Sequence, residues 1–439
     1  MLHNLATHWK TRNNKPIYIK EMVRGSAWVF VGNGLARLLT LAGSVIIARA
    51  LGKESFGEYS LALNTLNMLA EAATFGAGLA SAKYISESIN KDKNKVTECV
   101  INSIGITLFI SLIFAAVLIA KKEYIARTIF NNASIAPCFD AVALGLIGAG
   151  FSGTLNSILS GLKKFRIIAL LNTGTCFLLF CLQVAAALTK NLLIVTYATA
   201  GGYFIMCAIA AMVVHRELIK ADVPLRMEFK PSALTILYKH NLPAFLSGMT
   251  VVPVAWAANL LLARENQGYS ELAVYAVANQ WRYILLFIPM TVASVALPIL
   301  SGQNKNDANK LLFISISLNA IITLTTCAIV YPFIPFILSA YGSNFSSGNL
   351  ALSWMLVVVF LVAINSSLAT YLTSQNRFWS GTLMNCLWAL SFFSLSYWLI
   401  PTYKVLGLMY AYVGSYSFHL IIQTLQAVYI YGKQTHTHH

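Results

Sequence analysis

The charges of this 439-residue chain are confined to short clusters, and apolar runs of about twenty residues separate them from one end to the other. A run of that length crosses the hydrocarbon core of a bilayer as a helix, the form in which a single segment satisfies all its own backbone polar groups. Twelve runs can be drawn, at roughly 26–49, 57–80, 99–120, 137–161, 167–188, 191–214, 236–263, 272–299, 311–338, 350–373, 378–400 and 405–430. Hydrophobic residues make up 57% of the chain and charged residues 10%, against about a quarter charged in soluble domains. The chain therefore reads as an all-α polytopic membrane protein. The loops are too short to house a soluble catalytic domain. Residues 1–25 are polar and basic and lead into a full-length run with no small-residue cleavage site, so no cleavable signal is expected.

A partial internal repeat suggests how the twelve runs are grouped. Gly52-Lys-Glu-Ser-Phe-Gly-Glu-Tyr59-Ser-Leu-Ala62 aligns with Gly268-Tyr-Ser-Glu-Leu-Ala-Val-Tyr275-Ala-Val-Ala278 at an offset of 216 residues, nearly half the chain. Two similar halves facing each other across a pathway follow from it. The expected division is an N-terminal lobe over 1–214, a linker over 215–235 and a C-terminal lobe over 236–439, six helices to a lobe. Orientation follows from basic residues. With the N-terminus inside, 21 of the 31 Lys and Arg fall on the cytoplasmic side and 7 on the other, which predicts cytoplasmic termini. The net charge of +16 is read as the same positive-inside signal rather than as a nucleic-acid footprint.

Ionisable residues deep in membrane helices are costly, so each is a functional candidate. Asn33, Arg37, Thr40 and Ser44 form one polar stripe at three- and four-residue spacing, and Asn64, Asn67, Glu71 and Thr74 form a second. Tyr275, Asn279, Arg282 and Tyr283 supply a third. Together they predict a shared polar interior, either a cavity or a buried network. After residue 235 the acids are Glu265, Glu271 and Asp307, all in loops or at run edges. Arg282 must therefore pair across to Glu71, face water, or await an anionic ligand, for which a guanidinium fork suits phosphate. Glu71 has two further readings, a helix-locking ion pair with Arg37 or a titrating site coupled to ion movement. Gly145, Ala149 and Gly153 predict a close helix approach. No Walker, GxSxG or HExxH motif is present, the seven cysteines form no CxxC pair, and no catalytic residue, metal or cofactor is expected.

The segments Val31-Gly-Asn-Gly, Arg49 to Ala62, Leu242 to Gly248, Asn259 to Arg264 and Tyr275 to Gln280 resemble those of Wzx-type O-antigen and polysaccharide flippases. These belong to the multidrug/oligosaccharidyl-lipid/polysaccharide exporter superfamily. The resemblance implies two pseudo-symmetric six-helix lobes around a central cavity that opens alternately to either side. It implies a cargo of undecaprenyl-pyrophosphate carrying an oligosaccharide repeat, moved from the cytoplasmic to the periplasmic leaflet of the bacterial inner membrane. A polysaccharide polymerase and a chain-length regulator are the candidate protein partners. Cationic cavity walls engage the pyrophosphate in that family, which points to Arg37 and Arg282, with Arg49 and Arg264 at run ends and Asn33, Asn67 and Asn279 beside them. Glu71 and Asp140 depart from a purely cationic wall. A multidrug exporter of the same superfamily is the alternative, but cationic drugs call for acids that the second half lacks in its runs. A membrane polymerase or acyltransferase is a further alternative. The longest outer loop, 121–136, is small for a polymerase, and His419 is the one deep histidine an acyltransferase could use.

Overall fold

Every apolar run matches a helix or a helix pair in the computed structural model, which describes residues 15–74, 77–224, 249–301, 305–375 and 377–435. In chain order the N-terminal half contains α1 (Lys15–Leu51), α2 (Lys53–Thr74), α3 (Ala77–Ser88), α4 (Lys93–Tyr124), α5 (Cys138–Gly161), α6 (Phe165–Ala187) and α7 (Leu192–Lys220). The C-terminal half contains α8 (Met249–Ala263), α9 (Gly268–Leu285), α10 (Phe287–Ser301), α11 (Lys305–Val330), α12 (Ile334–Tyr341), α13 (Asn349–Ser374), α14 (Phe378–Tyr403) and α15 (Val405–Thr435). Among the described residues nine helical segments are long and apolar enough to span, and α9 with α10 forms a tenth, bent by 44°. The other two are α2, whose charges Lys53, Glu54, Glu58 and Glu71 lower its hydropathy, and α8, whose approach at 236–248 lies outside the described residues. Large apolar side chains such as Phe313, Phe336 and Trp398 are exposed on the bundle's outside, as a lipid-facing surface requires.

Several helices outrun their apolar cores. Helix α1 is already helical at Lys15, the first described residue, rather than near 26, and α7 continues to Lys220, six residues into the expected linker. Hydropathy marks only the part that crosses hydrocarbon, whereas backbone hydrogen bonding continues until a capping or breaking residue ends it. Such residues are visible. Asp92 accepts from the Asn94 and Lys95 amides to start α4, and Asn191 accepts from Leu193 and Ile194 to start α7. Residues 225–235 of the expected linker lie outside the described residues.

The repeat becomes a packing relation. Gly52, at φ +79°, turns α1 into α2, and Gln267, at φ +60°, turns α8 into α9. Tyr59 of α2 then reaches the last helix of its lobe, its hydroxyl 2.9 Å from Thr199 Oγ1 on α7. Tyr275 of α9 does the same with Tyr412 on α15, hydroxyl to hydroxyl at 2.9 Å. The two repeat helices face each other as the main contact between lobes. At Gly57 a Cβ would overlap the Tyr269 carbonyl oxygen and stand 2.7 Å from its carbon, so glycine permits the approach.

Other lobe contacts gather towards the same end, here called the Gly52 end. Arg49 donates Nε to the Ala340 carbonyl at 2.6 Å, Lys53 Nζ donates to Ser347 Oγ at 3.0 Å, and Tyr269 donates to the Phe130 carbonyl at 2.8 Å. Phe56 meets Phe345 edge-on at 6.2 Å. At the opposite end Lys164 pairs with Glu217 at 2.8 Å, Lys93 with Asp222 at 3.5 Å, and Thr97 donates to the Pro224 carbonyl at 2.5 Å. These join the three polar connections expected on one side.

The glycine stripe on α5 serves two partners. A Cβ at Gly145 would stand 2.5 Å from Leu66 Cδ1 on α2 and 3.2 Å from Ala200 Cα on α7, whereas Gly153 faces Thr74 of α2 alone, at 3.4 Å. The closest approach to α7 is made off the stripe by Gly148, 2.8 Å from the Phe204 nitrogen.

Candidate functional site

Between the lobes lies a cavity of about 380 Å³ with a largely apolar lining, among it Ala36, Leu41 and Ile284, into which three helices set a few polar residues. Helix α1 contributes Asn33, Arg37 and Thr40, α6 contributes Asn172 and Cys176, and α9 contributes Gln280 and the Tyr283–Ile284 turn. Gly32 lets α6 lie close enough to complete this wall. A Cβ there would stand 2.9 Å from Thr173 Oγ1, which donates to the Gly32 carbonyl at 3.2 Å.

The cavity's polar residues are mostly donors, and among the described residues the lining holds no carboxylate. Arg37 donates one guanidinium N–H to the Tyr283 carbonyl, and its Cζ lies 5.0 Å from the centre of the Phe287 ring. That carbonyl lies in the last turn of α9, beside the bend. Proline has no amide to offer a carbonyl four residues back, and Pro289 stands four residues after Leu285, which accounts for the break between α9 and α10. Asn172 accepts through Oδ1 from Asn156 Nδ2 at 3.0 Å, which leaves its own amide N–H groups to the cavity. Gln280 Oε1 is 2.5 Å from Ser44 Oγ and accepts from the Tyr341 hydroxyl at 3.1 Å. Two hydroxyl donors thus share the Gln280 oxygen, and the same side chain belongs to the cavity lining.

The structure brings together Asn33 and Arg37 of the expected contacts and places the others elsewhere. Arg282 lies in the second lobe's interior, its Cζ 5.1 Å from the Tyr283 ring centre and 5.5 Å from that of Tyr412. Its Nε is buried with no hydrogen-bond partner. Cation–π contacts stand in for the missing counter-ion. Arg49 bridges the lobes at the Gly52 end, and Arg264 is exposed beyond α8. Asn67 is exposed on α2, and the Asn279 side-chain oxygen is buried without a partner. Glu71 is exposed, forms no ion pair with Arg37 or Arg282, and is absent from the lining. Asp140 is occupied by Lys122 at 2.6 Å in the first turn of α5. Neither acid therefore neutralises the cavity. His419 and Gln423 meet at 3.4 Å along α15. The histidine tail at 436–439 lies outside the described residues.

Asn172 was not foreseen from sequence, and Gln280 was noticed only within a family segment. A usable signal existed: Asn172 and Cys176 recur at helical spacing in a run whose other polar residues are mostly Thr, and Asn156 lies one run earlier to orient the amide.

The comparisons agree with this architecture. A 24% identical relative, the EPS I polysaccharide export inner membrane protein EpsE of Ralstonia solanacearum, aligns over 82% of this chain and 83% of its own length. The putative O-antigen transporter of Shigella flexneri is 21% identical over 94% of this chain and 98% of its own. Among solved structures, the lipid II flippase MurJ in an inward closed conformation superposes with a TM-score of 0.78 at 14% identity, covering 91% of this chain and 87% of that one. That likeness shows a shared fold, and these relatives and neighbours are transporters rather than enzymes. The family of polysaccharide biosynthesis proteins matches residues 22–304, more than half of the sequence, and the chain belongs to that family.

Proposed function

We propose that the protein is a flippase for an undecaprenyl-pyrophosphate-linked oligosaccharide, an O-antigen or related surface-polysaccharide repeat. It carries the cargo from the cytoplasmic to the periplasmic leaflet of the inner membrane by alternating access. The observation that carries this reading is the inter-lobe cavity, which among the described residues offers a guanidinium and three side-chain amides and no carboxylate in its lining. Such a set of donors suits a diphosphate and its attached sugar hydroxyls, and would repel nothing anionic. A cationic drug would find no acid there. With the basic end taken as cytoplasmic, the lobes are closed at the periplasmic end and the cavity is set to load from the cytoplasm. Arg37 and Asn33 touch the cargo in this state. Arg282, Arg49, Arg264, Asn67 and Asn279 are candidates for states in which the lobes have moved.

Deletion of the gene with complementation tests the reading. The expected result is loss of surface polysaccharide on gels and accumulation of the lipid-linked repeat in the cytoplasmic leaflet, both restored by the intact gene. Normal export in the deletion strain overturns it.

Glu71, exposed on α2 and in none of the ion pairs among the described residues, is the proposed coupling carboxylate. A carboxylate that binds and releases a proton in each cycle makes transport depend on the pH gradient. Glu71→Gln is then expected to leave protein levels unchanged and to abolish the response of export to collapse of that gradient. An unchanged response removes Glu71 from the mechanism.

A further inference from the structure

We infer that Gln280 is a cargo-binding residue whose orientation is set by the contact between the lobes, so that the cavity's affinity for an anion rises and falls with closure of the Gly52 end. The inference rests on the anionic cargo proposed above. Gln280 is on α9 of the second lobe, and its oxygen is held by Ser44 of α1 in the first lobe at 2.5 Å. Tyr341, at the end of α12 in its own lobe, adds a second donor at 3.1 Å. Ser44 and Tyr341 are themselves 3.4 Å apart, so three side chains from three helices meet at one point. The same side chain lines the cavity that contains Arg37, and with its oxygen taken by two donors its NH2 group is the end left for a ligand. One planar group therefore does two things at its two ends: the oxygen joins the lobes and the nitrogen is left for the cargo.

The physical consequence is a linkage. Hydrogen bonds through one amide reinforce each other, because a donor engaged by an anion makes the oxygen a better acceptor. Closure at the Gly52 end therefore favours binding of the anion, and the bound anion favours closure by the same factor. When that end opens, Ser44 leaves with its lobe and the Gln280 oxygen keeps Tyr341 alone, so the amide is held by one donor instead of two. The cavity's donor is then less firmly fixed at the moment the cargo has to depart. A hydrogen bond to a charged group corresponds to roughly ten- to hundredfold in affinity.

The test uses the full-length protein in nanodiscs, free of native cysteines, carrying Lys53→Cys and Ser347→Cys across the Gly52 end. A short bismaleimide locks the lobes there, and the probe is geranyl pyrophosphate. Locking is expected to tighten binding about tenfold or more in the parent. Gln280→Ala is expected to bind as weakly locked as unlocked, and Ser44→Ala with Tyr341→Phe to show a reduced effect of locking although Gln280 is intact. Arg37→Ala separates the two ideas. If Arg37→Ala loses binding while Gln280→Ala keeps both the parent affinity and the full effect of locking, the linkage is wrong and the anion site stands. If neither substitution weakens binding, the anion site itself is wrong and the linkage falls with it.

Discussion

Arg37→Ala is expected to abolish polysaccharide export while the protein accumulates in the membrane at the parental level. Among the described residues Arg37 is the one cation in the cavity lining, and no carboxylate there shares its charge. One of its N–H groups is spent on the Tyr283 carbonyl, which leaves the rest of the fork for a phosphate. Two charge-assisted bonds removed together correspond to roughly a hundredfold loss or more. The same substitution also frees the Tyr283 carbonyl beside the α9–α10 bend, so orientation of the second lobe's wall suffers as well. Arg37→Lys separates charge from geometry. A lysine keeps the positive point but cannot hold a backbone carbonyl and a phosphate in one plane, so export is expected to fall between the two. The measurements are surface polysaccharide on gels and the leaflet in which the lipid-linked repeat accumulates. Full export by the alanine variant removes the arginine from cargo binding.

The two deep arginines show what a sequence discloses and what it withholds. Both were visible as charges inside apolar runs, and the stripe from Asn33 to Ser44 does turn one face of α1 on the interior. For α9 the stripe through Tyr275, Asn279 and Arg282 marks a face that looks into its own lobe, towards Tyr412. The face that reaches the cavity contains Gln280, two residues from Arg282 and about 200° away around the helix. Periodicity locates a polar face but does not say whether a neighbour in the lobe or the opposite lobe meets it. That depends on helix rotation, which packing at Gly57 and the tyrosine pair settles. The helix boundaries show the same division. Spans were legible because hydrocarbon thickness fixes their length, whereas the extensions of α1 and α7 were not, because polar turns can continue a helix beyond the bilayer. Asn172 stayed hidden for a third reason. An amide in an apolar run has no meaning until its partner, Asn156 on the preceding helix, fixes which end of it is presented.

Replacing Gly57 tests whether closure at the Gly52 end is a step of the cycle. The expected result for Gly57→Ala is a protein that folds and inserts normally but closes poorly and exports at least tenfold less. Alanine is a better helix former than glycine by about 1 kcal/mol, so α2 itself is not weakened. The added methyl meets the backbone of Tyr269, oxygen and carbonyl carbon, and a backbone group in the middle of a helical turn cannot rotate aside as a side chain would. Overpacking of this kind costs roughly 1–3 kcal/mol. A helix within one lobe would absorb it by local shifts; here the two helices belong to different lobes, so the relief is separation of α2 from α9. Every contact beyond that point feels the separation: Tyr269 on the Phe130 carbonyl, Lys53 on Ser347, Arg49 on Ala340. An equilibrium moved by that energy changes by about ten- to hundredfold, and cross-linking between Lys53→Cys and Ser347→Cys should fall accordingly. If cross-linking falls and export does not, closure at this end is no part of the rate-limiting cycle. If neither changes, α2 and α9 are free to slide past the methyl, and the contact at Gly57 is not the pivot.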